Sequence, residues 1–168
     1  LSVRGCIRVR ILIELDRLPT PGSPMDPERT AVADVTTQSA VSGSNYMRGV
    51  IERELASVVG HENVTADADV RQAAAADWSW QSKYLAYAGL EQPAADLVVR
   101  PATTAEVERV VQIADDHVIP VIPRGGGSGT QGGTLAPYGG IALDLSRMTA
   151  IEEIDTESLV VTCEAGID

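Results

Sequence analysis

Phenylalanine is absent from this chain of 168 residues, lysine occurs once, at Lys83, and cysteine twice, at Cys6 and Cys163. Two cysteines so far apart match no metal-ligand spacing and build no disulfide framework, so a reducing cytoplasm is the expected compartment. Long apolar runs are also missing. The longest near the start, Ile11-Leu12-Ile13, is closed by Glu14 and Asp16; it is too short for the core of a signal peptide and far short of a membrane span. Basic charge is scarce, with 13 Lys plus Arg against 24 Asp plus Glu and a formal net charge of −11. Residues 1–30 hold five arginines and four acids, whereas residues 31–168 hold eight basic and twenty acidic side chains. A surface that acidic repels a phosphate backbone, which excludes nucleic-acid binding by charge. The missing Phe and nearly missing Lys point to a GC-rich coding sequence or to a salt-tolerant acidic protein, and neither names a function.

What is present suffices for one globular core, since 44% of the residues are apolar. Residues 19–45 are rich in Pro, Ser, Thr and Gly without an apolar period, so residues 1–45 are expected to form a disordered tail. Met25 and Met47 are both possible natural starts, and part of this stretch reads as an extension. Residues 46–95 are expected to form a helical lead-in. Met47, Val50, Ile51, Leu55, Val58 and Val59 make a stripe at three- and four-residue steps that ends at Gly60. A second, Ala-rich helix is expected within 67–77, opened by Asp67 or Asp69, with Trp78 and Trp80 after it.

From residue 96 the pattern changes. Leu97-Val98-Val99 is a buried-strand run that Pro101 ends, and Thr103 with Glu106 forms a capping box. The helix that follows shows Val107, Val110, Val111 and Ala114 on one face. Residues 118–122 read as a second strand, irregular or at an edge because of Pro120 and Pro123. Strand, helix and strand make a right-handed βαβ unit with parallel strands. A third strand is expected over 141–145, and a hairpin at 151–162. The fold class is therefore α+β: a small parallel βαβ subdomain flanked by helices, then the start of an antiparallel sheet.

Directly after the second strand stands Pro123-Arg124-Gly125-Gly126-Gly127-Ser128-Gly129-Thr130-Gln131-Gly132-Gly133, in which six of the nine residues after Arg124 are glycine. So dense a cluster at a strand end implies backbone that takes φ > 0 and comes close to something. Successive N–H groups there form a nest for an anion, the Ser128 and Thr130 hydroxyls add donors, and a diphosphate is the natural guest. The string from Gly127 to Gly132 matches G-x-G-x-x-G. A helix should then open at the loop, and Pro137 with Gly139 and Gly140 follows instead, which excludes the Rossmann reading. No Gly-Lys-Ser/Thr ends the loop, so it is not a P-loop.

These residues carry a resemblance. The run from Leu97 through the glycine loop, then GGIALDLSRM (139–148), IEEID (151–155) and VTCEAG (161–166), resembles the first half of the FAD-binding domain of the FAD-linked oxidases. That family is of the para-cresol methylhydroxylase and vanillyl-alcohol oxidase type, and the glycolate oxidase subunit and D-lactate dehydrogenase branch is the most similar. VVGHENV (58–64) and DWSW (77–80) are similar to that branch's lead-in. The resemblance implies that residues 96–168 are the first half of such a domain, truncated, and that the loop wraps the FAD pyrophosphate. The residues so implied are Pro123, Arg124, Gly125, Gly126, Gly127, Ser128, Gly129, Thr130, Gly132 and Gly133. It further implies an enzyme, when full length, that oxidises a 2-hydroxy acid such as glycolate or D-lactate, or a related alcohol, by hydride transfer to the flavin. No histidine lies between His117 and Asp168, so FAD is expected to be held non-covalently. No catalytic residue and no metal ligand is assigned, and the electron acceptor is left open.

Other candidates have blander readings. Arg124 either offsets diphosphate charge or is a solvated loop arginine. His117 reads as a helix cap, His61 as a surface residue, Asp144 as a structural hydrogen-bonding group, and Cys163 as a small buried apolar residue. Trp78 and Trp80 read as core or edge packing rather than a flavin-stacking pair. The alternative function is a non-catalytic nucleotide- or anion-binding module, or an inactive truncated fragment.

Overall fold

The computed structural model describes residues 45–167. The tail expected over 1–45 lies outside them, apart from Asn45, which opens the first helix. The elements in chain order are α1 (Asn45–Val59), a 3-10 turn (His61–Asn63), β1 (Val64–Thr65), α2 (Ala68–Ala75), α3 (Trp80–Tyr87), β2 (Leu97–Val99), α4 (Thr104–Asp116), β3 (Val121–Arg124), β4 (Ile141–Asp144), β5 (Ile151–Asp155) and β6 (Val160–Cys163).

The first sheet has the order β1-β2-β4-β3. β4 is parallel to both β2 and β3, and β1 runs antiparallel to β2. β3 holds an edge, as its prolines require, and its strand runs 121–124 rather than 118–122. The period of two along the strands sorts side chains to two cores. Leu97, Val99, Ile141 and Leu143 meet Ile51, Leu55 and Val59 of α1 and Val110, Ile113 and Ala114 of α4. On the opposite face Val98 and Ala142 meet Ala74 of α2 together with Ala95 and Ala136. Four of those five side chains are alanine, so α2 sits close to the sheet. The architecture is α+β, a parallel three-strand unit with helices on both faces beside a separate antiparallel hairpin.

Local chemistry explains the helix ends. The Thr103 hydroxyl accepts the Glu106 N–H at 3.2 Å, and the Glu106 carboxylate takes the Ala102 N–H at 2.7 Å, one residue earlier than a strict capping box. Asp67 caps α2 by accepting the Val70 N–H at 3.0 Å. His117 does cap α4, and its Nε2 lies 3.1 Å from Glu54 of α1, tying the two helices together. In the hairpin, Asp155 holds the turn by accepting the Glu157 and Ser158 N–H groups.

Two expected burials are corrected. Val111 is 43% exposed, because the stripe of α4 that meets the core runs through Val110, Ile113 and Ala114. Cys163 is exposed, because β5 and β6 pair only with each other among the described residues and nothing there covers either face. The two adjacent valines of α4 provide a test. Val110→Ala, at a side chain with no exposure, should cost about 1–3 kcal/mol, and Val111→Ala about 0.5 kcal/mol or less. Urea unfolding of the two variants checks this, and equal losses would contradict the packing described.

Candidate functional site

The chain leaves β3 at Arg124 and re-enters the sheet at Ile141, so the glycine loop stands at the carboxyl ends of the parallel strands. Ligands gather at that end of open α/β sheets. Among the described residues, no N–H from Gly125 to Gln131 donates a hydrogen bond to the protein. Seven consecutive donors are thus available to something else. The side chains of Ser128 and Thr130 stand among them on exposed residues.

A loop that spends no donors on itself must be held through its carbonyls and side chains. The segment 74–79, from the end of α2 to the cap of α3, does this. Arg124 Nη1 donates to the carbonyls of Ala74 at 3.1 Å and Ala76 at 2.7 Å. α2 has no basic residue in its own last turn, and Arg124 supplies the cation its carboxyl end favours. The Thr134 hydroxyl donates to Ala75 O at 2.9 Å, and the Trp78 N–H to Gly129 O at 2.8 Å.

Arg124 is therefore neither a free loop arginine nor turned outward. Its guanidinium lies directly beneath Gly127, where φ is +72° and an added Cβ would stand 2.5 Å from Nη2. Gly125 is constrained from another side, with an added Cβ only 2.8 Å from the Ala165 carbonyl oxygen. The sequence reading assigned φ > 0 to the cluster as a whole, whereas within 125–133 only Gly127 and Gly132 adopt it.

Asp77 is 5% exposed and lies under the same loop. Its Oδ1 accepts the Ser79 N–H at 2.9 Å, and its Oδ2 is buried without a partner of hydrogen-bonding geometry. Burial raises its pKa. The Ser79 hydroxyl and N–H, with the Gly132 N–H and Thr134, outweigh that and hold the carboxyl below its ordinary value. Nothing in the sequence pattern singled Asp77 out. Trp78 and Trp80 are 64% and 77% exposed, not packed in a core. Asp77 and Ser79 turn inward on the extended segment, so Trp78 between them turns outward, where Lys83 Nζ sits 4.0 Å from its ring.

At the strand ends Asp144 is structural. Its Oδ2 meets Arg100 Nε at 3.0 Å and its Oδ1 accepts the Ser146 N–H. These two residues, with Arg124, Val70, Ala73 and Ala74, line a cavity of about 220 Å³, a notch smaller than an ordinary ligand pocket. His61 is exposed, and no cluster of metal-binding side chains exists among the described residues.

The FAD binding domain family matches residues 95–168, from just before β2 to the chain's last residue. This chain is 39% identical over 72 residues to the glycolate oxidase subunit GlcD of Bacillus subtilis, covering 43% of this chain and 15% of that protein. It is 35% identical over 72 residues to the mitochondrial D-lactate dehydrogenase [cytochrome] of Arabidopsis thaliana, covering 43% of this chain and 13% of that protein. The chain thus spans about a seventh of these relatives. A structure of p-cresol methylhydroxylase with substrate bound matches 74% of this chain and 23% of its own, at 22% identity and a TM-score of 0.59, which shows a shared fold. No helix among the described residues is long and apolar enough to cross a membrane.

The residues present fit the diphosphate part of FAD: unspent N–H donors, two hydroxyls, and a cation beneath the loop. Gly127→Ala should cost about 1–3 kcal/mol through its positive φ and the displaced guanidinium. Gly133→Ala, where an added Cβ meets nothing within 4 Å, should cost about 0.5 kcal/mol or less. Denaturant melts distinguish the two, and a tolerant Gly127 would contradict the position given to Arg124.

Proposed function

We propose that this chain supplies the diphosphate-binding part of an FAD-dependent oxidoreductase that oxidises a 2-hydroxy acid, such as glycolate or D-lactate, or a related alcohol. The observation that carries the reading is the run of unspent N–H groups from Gly125 to Gln131 at the carboxyl end of a parallel strand. In this reading Gly125, Gly126, Gly127, Ser128 and Gly129 donate backbone N–H groups to the pyrophosphate. The Ser128 and Thr130 hydroxyls add donors. Pro123 fixes where the loop leaves β3, Arg124 acts from beneath by charge and by shape, and Gly132 and Gly133 let the chain pass under the cofactor.

FAD, when bound, supplies the acceptor for the hydride removed from the alcohol carbon. The chain's own task is to bind and orient it. Retention is non-covalent in this reading, supported within this segment by the lack of histidine between His117 and Asp168. The printed names of the relatives, glycolate oxidase and D-lactate dehydrogenase, support the substrate class. A cytoplasmic location accords with the cysteine usage.

Purified protein carrying this chain should take up FAD in equilibrium dialysis and release it to the supernatant on acid precipitation. Its flavin absorbance should bleach with glycolate or D-lactate. Ser128→Ala should weaken FAD binding about tenfold, the loss of one hydrogen bond to a charged group. Failure to take up FAD would overturn the diphosphate reading, flavin retained in the precipitate would overturn non-covalent binding, and no bleaching by any 2-hydroxy acid would overturn the substrate class.

A further inference from the structure

We propose that Trp78 is a stacking platform for the base of the nucleotide whose diphosphate the glycine loop takes, and that this base is adenine. The inference deepens the reading of that loop as the diphosphate site and rests on it, naming the residue that meets the ring at the nucleoside end.

Trp78 lies on the segment that supports the loop, and its N–H donates to Gly129 O at 2.8 Å. The indole therefore springs from backbone in direct contact with the donors of 125–131. One ribose separates diphosphate from base in a nucleoside diphosphate, so a base carried by a diphosphate on this loop comes within reach of the ring. The protein does not use that ring for packing. It is 64% exposed, and its one ring contact among the described residues is Lys83 Nζ, 4.0 Å from the centroid. One face is thus taken by a cation and the other is open.

The backbone on either side of Trp78 is fixed by buried groups. The Asp77 N–H donates to Ser82 Oγ at 3.2 Å, the Ser79 N–H to Asp77 Oδ1 at 2.9 Å, and the Ser82 N–H to Ser79 Oγ at 3.1 Å. A large ring on backbone that is already ordered loses little conformational entropy when a ligand covers it. Trp80 is placed differently. It is also exposed, but it opens α3 and its ring meets Tyr84 of the same helix, with centroids 5.7 Å apart, and among the described residues no hydrogen bond joins it to the loop.

Lys83, the one lysine of the chain, selects the kind of ring. A cation over one face of an indole draws π density towards itself and leaves the opposite face less negative. That favours an electron-rich ring such as adenine over the electron-poor oxidised isoalloxazine.

The test is calorimetric titration of protein carrying this chain, as wild type, Trp78→Ala, Trp78→Phe and Trp80→Ala, with ADP and with inorganic pyrophosphate. Trp78→Ala should weaken ADP at least about tenfold and leave pyrophosphate unchanged. Trp78→Phe should recover most of the loss, and Trp80→Ala should bind both as wild type does. In ¹⁵N-labelled protein the Trp78 indole N–H, assigned by its absence from the Trp78→Phe spectrum, should move upfield with ADP under the ring current of the base and stay in place with pyrophosphate. Equal ADP affinity in wild type and Trp78→Ala, or equal losses for ADP and pyrophosphate, would overturn the proposal. An indole signal that moves with riboflavin and not with ADP would overturn the choice of adenine. If Trp78→Ala does not fold, the wild-type indole signal decides, and its failure to move with ADP would overturn the platform. Wild type that binds neither ADP nor pyrophosphate would overturn the diphosphate reading itself, whereas pyrophosphate bound as tightly as ADP would overturn the stacking alone.

Discussion

The seven N–H groups between Gly125 and Gln131 are unspent on the protein, and that sets the terms for everything around them. A loop keeps its shape either through its own donors or through bonds into its carbonyls and side chains, and this one has only the second means. Residues 74–79 supply it. Arg124 reaches back to the last carbonyls of α2, Thr134 bonds Ala75, and Trp78 bonds Gly129. The alanine-rich face of α2 then acquires a purpose: Ala74 against Ala142 and Val98 brings that helix end close enough to the sheet for the bonds to form.

For so acidic a protein, the diphosphate site proposed at this loop presents an electrostatic conflict that distance resolves. Most of the surface charge is screened over about 8–10 Å at ordinary ionic strength. Backbone N–H groups act in direct contact, at hydrogen-bonding distance, and are oriented by the fold without cost at the moment of binding. Among the described residues, the formal charges that stand against the loop glycines are Arg124 under Gly127 and Asp77 near Gly129. Their opposite signs leave the local field to the dipoles.

Much of this was legible from residues that act locally. Leu97-Val98-Val99 before Pro101, the Thr103 cap, Ile141 to Leu143 and the 151–162 hairpin are short-range patterns, and each formed close to where its pattern put it. β1 is two residues long and carries no period. α3 escaped notice because Trp80, Tyr84 and Tyr87 face solvent and there is no apolar stripe to read. Cys163 was misplaced because burial depends on what packs against a strand, which its own sequence does not contain. In the loop the glycines and hydroxyls were legible, but their support was not. Arg124 bonds residues 48 and 50 positions away, and Asp77 acquires its meaning only when the chain returns to cover it.

The measurement closest to the central claim is an amide ¹H–¹⁵N titration of the labelled protein with FAD, ADP and riboflavin in parallel. The account predicts that the amides of Gly125 to Gln131 move downfield with FAD and with ADP, as donors engaged by an anion, and stay in place with riboflavin. Shifts of equal size with riboflavin, or shifts confined to residues outside that loop, would contradict it.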